Sequence, residues 1–213
     1  MPTTHSIQGV LFDFGGVLWN MRWDVCRELE EAHGLPRRAL FETLYRTPTW
    51  EAIQRGRGDR EAWLEEAHRL LEARAGRTLP RLHAAWRATQ HLISEHVALV
   101  QELRPAYRIG ILSNSDPSLR NRLRDGLRDG LGIHDLFDAL VCSAEAGMAK
   151  PEPEIYRLAA KQLGLQPEVC VFVDDYEPNV VAAEEVGMRG ILFRVDRGHD
   201  LRSKLEALGV RPP

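Results

Sequence analysis

The sequence lacks the features of a secreted, disulfide-bonded or membrane protein. Its 213 residues include three cysteines, Cys26, Cys142 and Cys170, an odd number at wide spacing. This pattern predicts neither a disulfide framework nor a zinc site. No apolar run approaches the ~20 residues of a membrane helix. The first residues also lack the basic and apolar stretches of a signal peptide. We therefore expect reduced, buried thiols in a cytoplasmic protein that makes no contact with a membrane.

An excess of charge of one sign is missing too. The chain has 28 basic and 31 acidic residues, for a net charge of −3. This balance predicts no positive surface for nucleic acid or an anionic membrane. Lysine is especially scarce, because only three of the 28 basic residues are lysines: Lys150, Lys161 and Lys204. The lysine in the segment Gly147-Met148-Ala149-Lys150-Pro151 is therefore an unusual choice and a candidate functional residue.

Strand and helix patterns alternate from about residue 97 to the end of the chain. Apolar runs predict strands at 107–112, 139–142, 169–173 and 190–193. Helical patterns lie near 117–128, 153–163, 178–186 and 199–208, and Pro117, Pro153 and Pro178 stand at their expected first turns. Strands separated by such helices predict a parallel sheet, and strands that are apolar throughout predict a sheet covered on both faces.

A different pattern fills residues 20–96. This segment holds no convincing strand, and its apolar residues recur at helical spacing, as in Trp63, Leu64, Ala67 and Leu71. Hydrophobic residues make up 44% of the chain, which is enough for a packed core. We therefore predict an α/β protein whose parallel-sheet core comprises residues 1–19 and 97–213. Four or five helices of residues 20–96 are inserted after the first strand.

Polar side chains follow four of the predicted strands. Because functional groups gather at the carboxyl ends of the strands in an open parallel sheet, we expect these side chains to converge. A carboxylate can act as a nucleophile towards phosphorus. A lysine ammonium and a magnesium ion held by carboxylates can neutralise the charge of a phosphate. The residues in question are Asp13, Ser113, Lys150, Asp174 and Asp175.

Four motifs in this order make the chain resemble the haloacid dehalogenase superfamily. The resemblance is to its branch with a helical cap after the first strand (C1, subfamily IA), which includes sugar-1-phosphate phosphatase-like members. It implies a Rossmann-like, doubly wound core with residues 20–96 as the cap, and it covers the whole chain. The motifs are Phe12-Asp13-Phe14-Gly15-Gly16-Val17-Leu18, Leu112-Ser113-Asn114, Lys150 to Tyr156, and Phe172-Val173-Asp174-Asp175 with Asn179.

The resemblance also implies a role for each matched residue. Asp13 would be the nucleophile, and Lys150 would stabilise the phosphoaspartate. Ser113 would bind the phosphate, with Asn114 beside it. The magnesium ligands would be Asp13, the backbone carbonyl of Gly15, Asp174 and Asp175. Asn179 fits either a helix start or a support for the site.

Gly15 departs from the pattern of the family's phosphatases, which have an aspartate two residues after the nucleophile. That aspartate protonates the leaving oxygen and later activates water, and glycine can do neither. General acid–base help is typically worth ~10²–10⁴-fold in rate. Good leaving groups, such as acyl phosphates and sugar 1-phosphates, suffer least from its loss. An acid from the helical segment, such as Glu51, is the alternative, although a glutamate in a helix more often lies on the surface.

The sequence thus predicts a magnesium-dependent phosphatase of small phosphorylated metabolites, as a monomer or homodimer. Two alternatives stay open. One is a 2-haloacid dehalogenase, in which Asp13 attacks carbon and no metal is needed. The other is a catalytically weak protein that keeps the fold and binds ligands. A phosphomutase is disfavoured, because Gly15 cannot shuttle a proton to a second hydroxyl.

Overall fold

A five-stranded parallel sheet forms the centre of the computed structural model, which describes residues 6–126 and 132–213. The strand order is β5-β4-β1-β6-β7, so β1 is central and the chain adds strands first on one side of it and then on the other. The strands are β1 (Gly9–Phe12), β4 (Arg108–Ser113), β5 (Ala139–Cys142), β6 (Cys170–Asp174) and β7 (Arg189–Leu192). The predicted strands are confirmed to within a residue or two at each end.

Helices cover both faces of this sheet. Side chains alternate along β1, so that Val10 and Phe12 belong to one hydrophobic cluster and Leu11 to another. Helices α6 (Ser94–Leu103), α7 (Leu119–Asp125) and α11 (Leu201–Ala207) pack on the Val10 face. Helices α9 (Pro153–Gln162) and α10 (Glu177–Glu185) pack on the Leu11 face, and the short α8 (Ser143–Ala146) follows β5. The predicted Rossmann-like, doubly wound α/β fold is confirmed.

The segment between β1 and α6 is mostly helical. It contains α1 (Trp23–Ala32), α2 (Ala39–Tyr45), α3 (Pro48–Ile53), α4 (Arg60–Ala75) and α5 (Leu82–Thr89). These helices share a hydrophobic cluster of their own, which includes Trp50, Trp63 and Trp86. The division of the chain into a core and a cap of residues 20–96 remains our proposal.

Two short strands connect the ends of this helical segment, which the sequence did not predict. β2 (Trp19–Asn20) pairs antiparallel with β3 (His91–Leu92). With two residues each, these strands are too short to show a period in the sequence. They bring the outgoing and returning chain together beside the end of β1.

Helix starts follow local chemistry. Pro153 is the first residue of α9 and Pro178 the second of α10, positions where a missing N–H costs no helical hydrogen bond. Pro117 instead precedes α7 by two residues, because Asp116 accepts a hydrogen bond from the Ser118 N–H and forms a turn there. Residues 127 and 128 of the helix predicted near 117–128 lie outside the described residues. No helix within the described ranges is long and apolar enough to cross a membrane.

The helical segment buries one histidine that will make stability depend on pH. Burial lowers the pKa of His83 to about 4, and its Nε2 lies 2.9 Å from the Thr43 hydroxyl. A histidine with a lowered folded-state pKa binds fewer protons when folded, so the free energy of unfolding falls as the pH drops from about 6.5 towards 4. Because of His83, we expect the free energy of unfolding, measured with urea, to be about 2 kcal/mol lower at pH 4.5 than at pH 7.0. This difference should be smaller in His83→Gln. An equal pH dependence in both proteins would contradict this assignment.

Candidate active site

Asp13 lies at the centre of the carboxyl edge of the sheet, directly after β1. Its N–H donates to the carbonyl of Val173 on β6, which continues the sheet pairing by one residue. Its Oδ1 accepts a 2.6 Å hydrogen bond from the Phe14 N–H. Burial raises the pKa of Asp13 to about 6, against the lowering effect of Lys150. The side chain is thus a fixed and poorly solvated carboxylate.

Lys150 connects two carboxylates. Its Nζ lies 3.1 Å from Asp13 Oδ1 and 2.6 Å from Asp174 Oδ2, and its side chain is fully buried. Burial acts to lower the pKa of Lys150, but the charges and hydrogen bonds of Asp13 and Asp174 outweigh it and raise the pKa. The ammonium therefore stays charged between the two strand ends and can act as a point charge towards a phosphate.

Asp174 is the most completely bonded group of the site. Its Oδ1 accepts a 2.8 Å bond from the Tyr176 N–H, and the Asn179 side-chain amide donates to both carboxylate oxygens. The structure thus places Asn179 as a support of Asp174. The Tyr156 hydroxyl in turn donates to the Asn179 carbonyl. This contribution of Tyr156 could not be predicted from the sequence, because the residue falls on an ordinary apolar face of α9.

Three carboxylates come together at this edge. Oxygens of Asp13, Asp174 and Asp175 lie within 4.8 Å of one another, the one such acidic group found among the described residues. Burial raises the pKa of Asp175 well above its usual value, and the charges of Asp174 and Asp13 raise it further. Clustered, desolvated oxygen donors fit a hard divalent cation such as magnesium, which removes the mutual repulsion.

Gly16 creates the space for Asp175. It has a φ of 84°, in the left-handed region, and a Cβ at this position would lie 2.2 Å from Asp175 Oδ2. Neighbouring Gly15 is different: its φ is not positive, and an added Cβ would meet only the Met21 sulfur, at 3.5 Å. Gly16 is therefore required by the shape of the site, whereas position 15 has room for a side chain.

Ser113 and Asn114 follow β4 but point to different partners. The buried Ser113 side chain interacts with Asp13 and lowers its pKa, so Ser113 lies close to Asp13. The Asn114 amide instead donates to the Lys150 carbonyl and accepts from the Lys150 N–H, each at 2.9 Å. Asn114 thus holds the main chain of Lys150 in place.

Glu51, considered as a substitute acid, is held by its own helix and the residues just after it. Its carboxylate accepts from Gln54 and Arg55, and its side chain is 58% exposed. These contacts direct Glu51 towards neighbours within the helical segment. Arg194 also contributes to the site but was not predicted from the sequence. Its Nε donates to the Asp175 carbonyl at 3.4 Å, and its charge lowers the pKa of Asp175. Among so many arginines, nothing in the sequence distinguishes it.

Comparisons with known proteins agree with this fold. The haloacid dehalogenase-like hydrolase family matches residues 7–187. A phosphatase of Mycobacterium tuberculosis is 31% identical over 92% of this chain and 91% of its own length. A sesquiterpene phosphatase of Aspergillus oryzae is 28% identical over 87% of this chain and 89% of its own.

A solved structure gives the same result for the fold. A Bacteroides thetaiotaomicron enzyme of the same superfamily, in complex with magnesium and inorganic phosphate, superposes with a TM-score of 0.68 at 24% identity. The match covers 93% of this chain and 98% of that one, and at this identity it shows a shared fold. The family match over most of the chain, together with the mycobacterial relative, shows that this protein belongs to the haloacid dehalogenase-like hydrolase family.

Proposed function

We propose that this protein is a magnesium-dependent phosphatase of small phosphorylated metabolites that works through a phosphoaspartate on Asp13. The observation that carries the proposal is the fully buried Lys150 ammonium between Asp13 and Asp174, 3.1 Å and 2.6 Å away. Asp175 completes the acidic group beside them. The phosphatase names of the mycobacterial and fungal relatives and the magnesium–phosphate complex of the Bacteroides enzyme support it.

In this mechanism Asp13 is the nucleophile. Its Oδ1 is engaged by the Phe14 N–H and by Lys150, so we assign the attack on phosphorus to Oδ2. The Oδ2–P bond forms while the bond to the leaving oxygen breaks, and water then hydrolyses the resulting acyl phosphate to free Asp13 and inorganic phosphate. The Ser113 hydroxyl and the Lys150 ammonium hold the phosphate oxygens during both steps.

Magnesium would be held by Asp13, the Gly15 carbonyl, Asp174 and Asp175. When bound, it supplies positive charge to the phosphate oxygens and to the crowded carboxylates. Both Asp174 oxygens already accept protein hydrogen bonds, including those from Lys150 and Asn179. Asp175 is therefore the carboxylate most available to the ion, and Asp174 also positions the lysine.

The same acidic group disfavours the dehalogenase alternative. Halide needs neither a proton nor a metal ion to leave, so a dehalogenase gains nothing from three carboxylates within 4.8 Å. These carboxylates would also repel the carboxylate of a haloacid substrate. A phosphate that binds together with magnesium instead needs carboxylates to hold the cation, so it fits the acidic group.

The first prediction concerns the nucleophile. We expect the wild-type protein with magnesium to release phosphate from acetyl phosphate or hexose 1-phosphates, and Asp13→Asn to lower this activity by more than roughly 10³-fold. The measurement is phosphate release across a broad panel of substrates, with circular dichroism to confirm that the variant is folded. If the wild-type protein released no phosphate from any compound, the proposal would be wrong. Magnesium-dependent binding of beryllium fluoride without turnover would then favour a binding protein.

The second prediction concerns the absent acid. Because position 15 has room for a side chain, Gly15→Asp should restore proton transfer and raise kcat on poor leaving groups, such as hexose 6-phosphates, by about 10- to 100-fold. Gly15→Asn is the matched control, because its side chain has the same size but no acidic proton, and its kcat should not rise. Equal rates for both variants would mean that another group already performs the acid–base chemistry.

The third prediction concerns the space at Gly16. We expect Gly16→Ala to lower the free energy of unfolding by about 1–3 kcal/mol and to displace Asp175, because of the φ of 84° and the 2.2 Å approach. The rise in melting temperature caused by magnesium should be lost with it. Gly15→Ala keeps the carbonyl, and we expect it to retain this rise. A full magnesium effect in Gly16→Ala would show that Asp175 does not hold the ion.

A further inference from the structure

Three arginine side chains come together beyond the carboxyl end of β4. Arg60 is the first residue of α4, Arg87 lies on α5 and Arg122 on α7. Arg60 Nε lies 3.7 Å from Asp116 Oδ1, and the charges of Asp116, Arg87 and Arg60 all act on the Arg122 guanidinium. We refer to Arg60, Arg87 and Arg122 as the arginine cluster. It combines two elements of the helical segment with one of the sheet core.

The cluster carries more positive charge than its surroundings balance. Within residues 6–126 and 132–213, Arg60 pairs with Asp116, whereas Arg87 and Arg122 form no ion pair with any carboxylate. The Nε atoms of Arg60 and Arg122 are both buried without a hydrogen-bond partner. Burial lowers the pKa of Arg122, the expected response of a cation that has lost water and gained too little in return. The side chains themselves are only partly buried, but a buried Nε–H without an acceptor is a donor that an anion can satisfy.

The arginine cluster and Asp13 lie at the same edge of the sheet, because Arg60 faces Asp116, three residues after the end of β4. In the sheet, β1 lies between β4 and β6, so Asp13 lies between their carboxyl ends. Residues at the C-terminal end of α2 interact with groups that follow both β6 and β4. Arg46, just after α2, stacks on Tyr176 at 5.2 Å, next to Asp175 after β6. On the other side, the Tyr45 hydroxyl lies within the electrostatic reach of the arginine cluster and Asp116, after β4.

We propose that the arginine cluster is a second anion site for the substrate. The physiological substrate would then carry a carboxylate or a second phosphate in addition to the phosphate that is removed. Guanidinium groups bind both kinds of anion through paired N–H donors, and the Nε–H groups of Arg60 and Arg122, which have no hydrogen-bond acceptor, are donors of this kind. This inference rests on the proposed phosphatase function and specifies the class of substrate.

A purely structural role of the arginine cluster fits its charges less well than an anion site does. Asp116 accepts from the Ser118 N–H at 2.9 Å and faces Arg60, so one arginine is sufficient to join the helical segment to the core through it. Two further guanidinium groups remain without a carboxylate among the described residues. Their repulsion would weaken that contact, whereas a bound anion would strengthen it.

Equilibrium binding tests the site without turnover. Malonate and methylphosphonate, as the carboxylate and phosphate probes, are titrated without added metal while tryptophan fluorescence is recorded. Arg87 lies 5.9 Å from the centre of the Trp63 ring, and Tyr45 packs on Trp50, Trp63 and Trp86, so an anion in the cluster should change the signal. We expect saturable binding of at least one probe, and the stronger of the two identifies the second anion.

Variants distinguish this site from non-specific anion binding. Arg122→Gln should weaken the binding of the probe about 10-fold or more, and Arg60→Gln serves as a second variant should Arg122→Gln fail to fold. Arg124→Gln is the matched control, because Arg124 is exposed on the same helix, and its affinity should equal that of the wild type. Equal affinity in the wild type, Arg122→Gln and Arg60→Gln, or a response that does not saturate, would overturn the proposal.

Kinetics then connect the site to the substrate. Two matched pairs differ by one anionic group: acetyl phosphate with succinyl phosphate, and glucose 1-phosphate with glucose 1,6-bisphosphate. We expect kcat/KM to favour the anionic member of one pair about 10-fold, and Arg122→Gln to remove the preference mainly through KM. Phosphate release with no preference in either pair would refute the second anion site and leave the phosphatase proposal intact. Anion binding without any phosphate release would refute the phosphatase proposal and leave the anion site intact.

Discussion

The site depends on the ion pairs that the buried Lys150 ammonium forms with Asp13 and Asp174. Removing three charged groups from water costs several kcal/mol per ion, and only close, well-aligned pairs recover it. The distances of 3.1 Å and 2.6 Å therefore require β1, β6 and the loop after β5 to be held in one arrangement. Pairing of Asp13 with Val173 fixes the two strands, and the Asn114 amide fixes the Lys150 main chain.

This arrangement also explains why so many hydrogen bonds of the site join protein groups to one another. Asp174 accepts from Tyr176 and Asn179 as well as from Lys150. Each bond restricts the rotation of the Asp174 carboxylate, so the position of the Lys150 ammonium is also fixed. In the proposed reaction, this ammonium would be preorganised for the charge that develops on the phosphate. Asp175 lacks such an extensive set of partners, and Gly16 leaves it space. The two adjacent acids thus differ in role because their surroundings differ.

Sequence patterns predicted the parts of this site that follow from strand ends. Asp13, Ser113 and Asp174 each come at the end of an apolar run, and a parallel sheet brings such ends to one edge. The partners of Asn114 and the contribution of Tyr156 could not be predicted, because they depend on contacts between distant loops and helices. The arginine cluster was equally hidden. Its members lie on three separate helices in a chain where arginine is the ordinary basic residue.

Gly15 and the arginine cluster together restrict the chemistry more than either does alone. In the proposed reaction, a leaving oxygen that receives no proton from position 15 would favour acyl and anomeric phosphates. The second anion of the proposed substrate would lie at the end of β4, whereas the reacting phosphate would lie at Asp13, after β1. The two groups would therefore be separated by the distance between these strand ends. Binding energy from that remote group can orient the phosphate towards Asp13 and so offset part of the lost acid catalysis. Under these two proposals, a phosphate monoester with a poor leaving group and no second charge would have neither advantage.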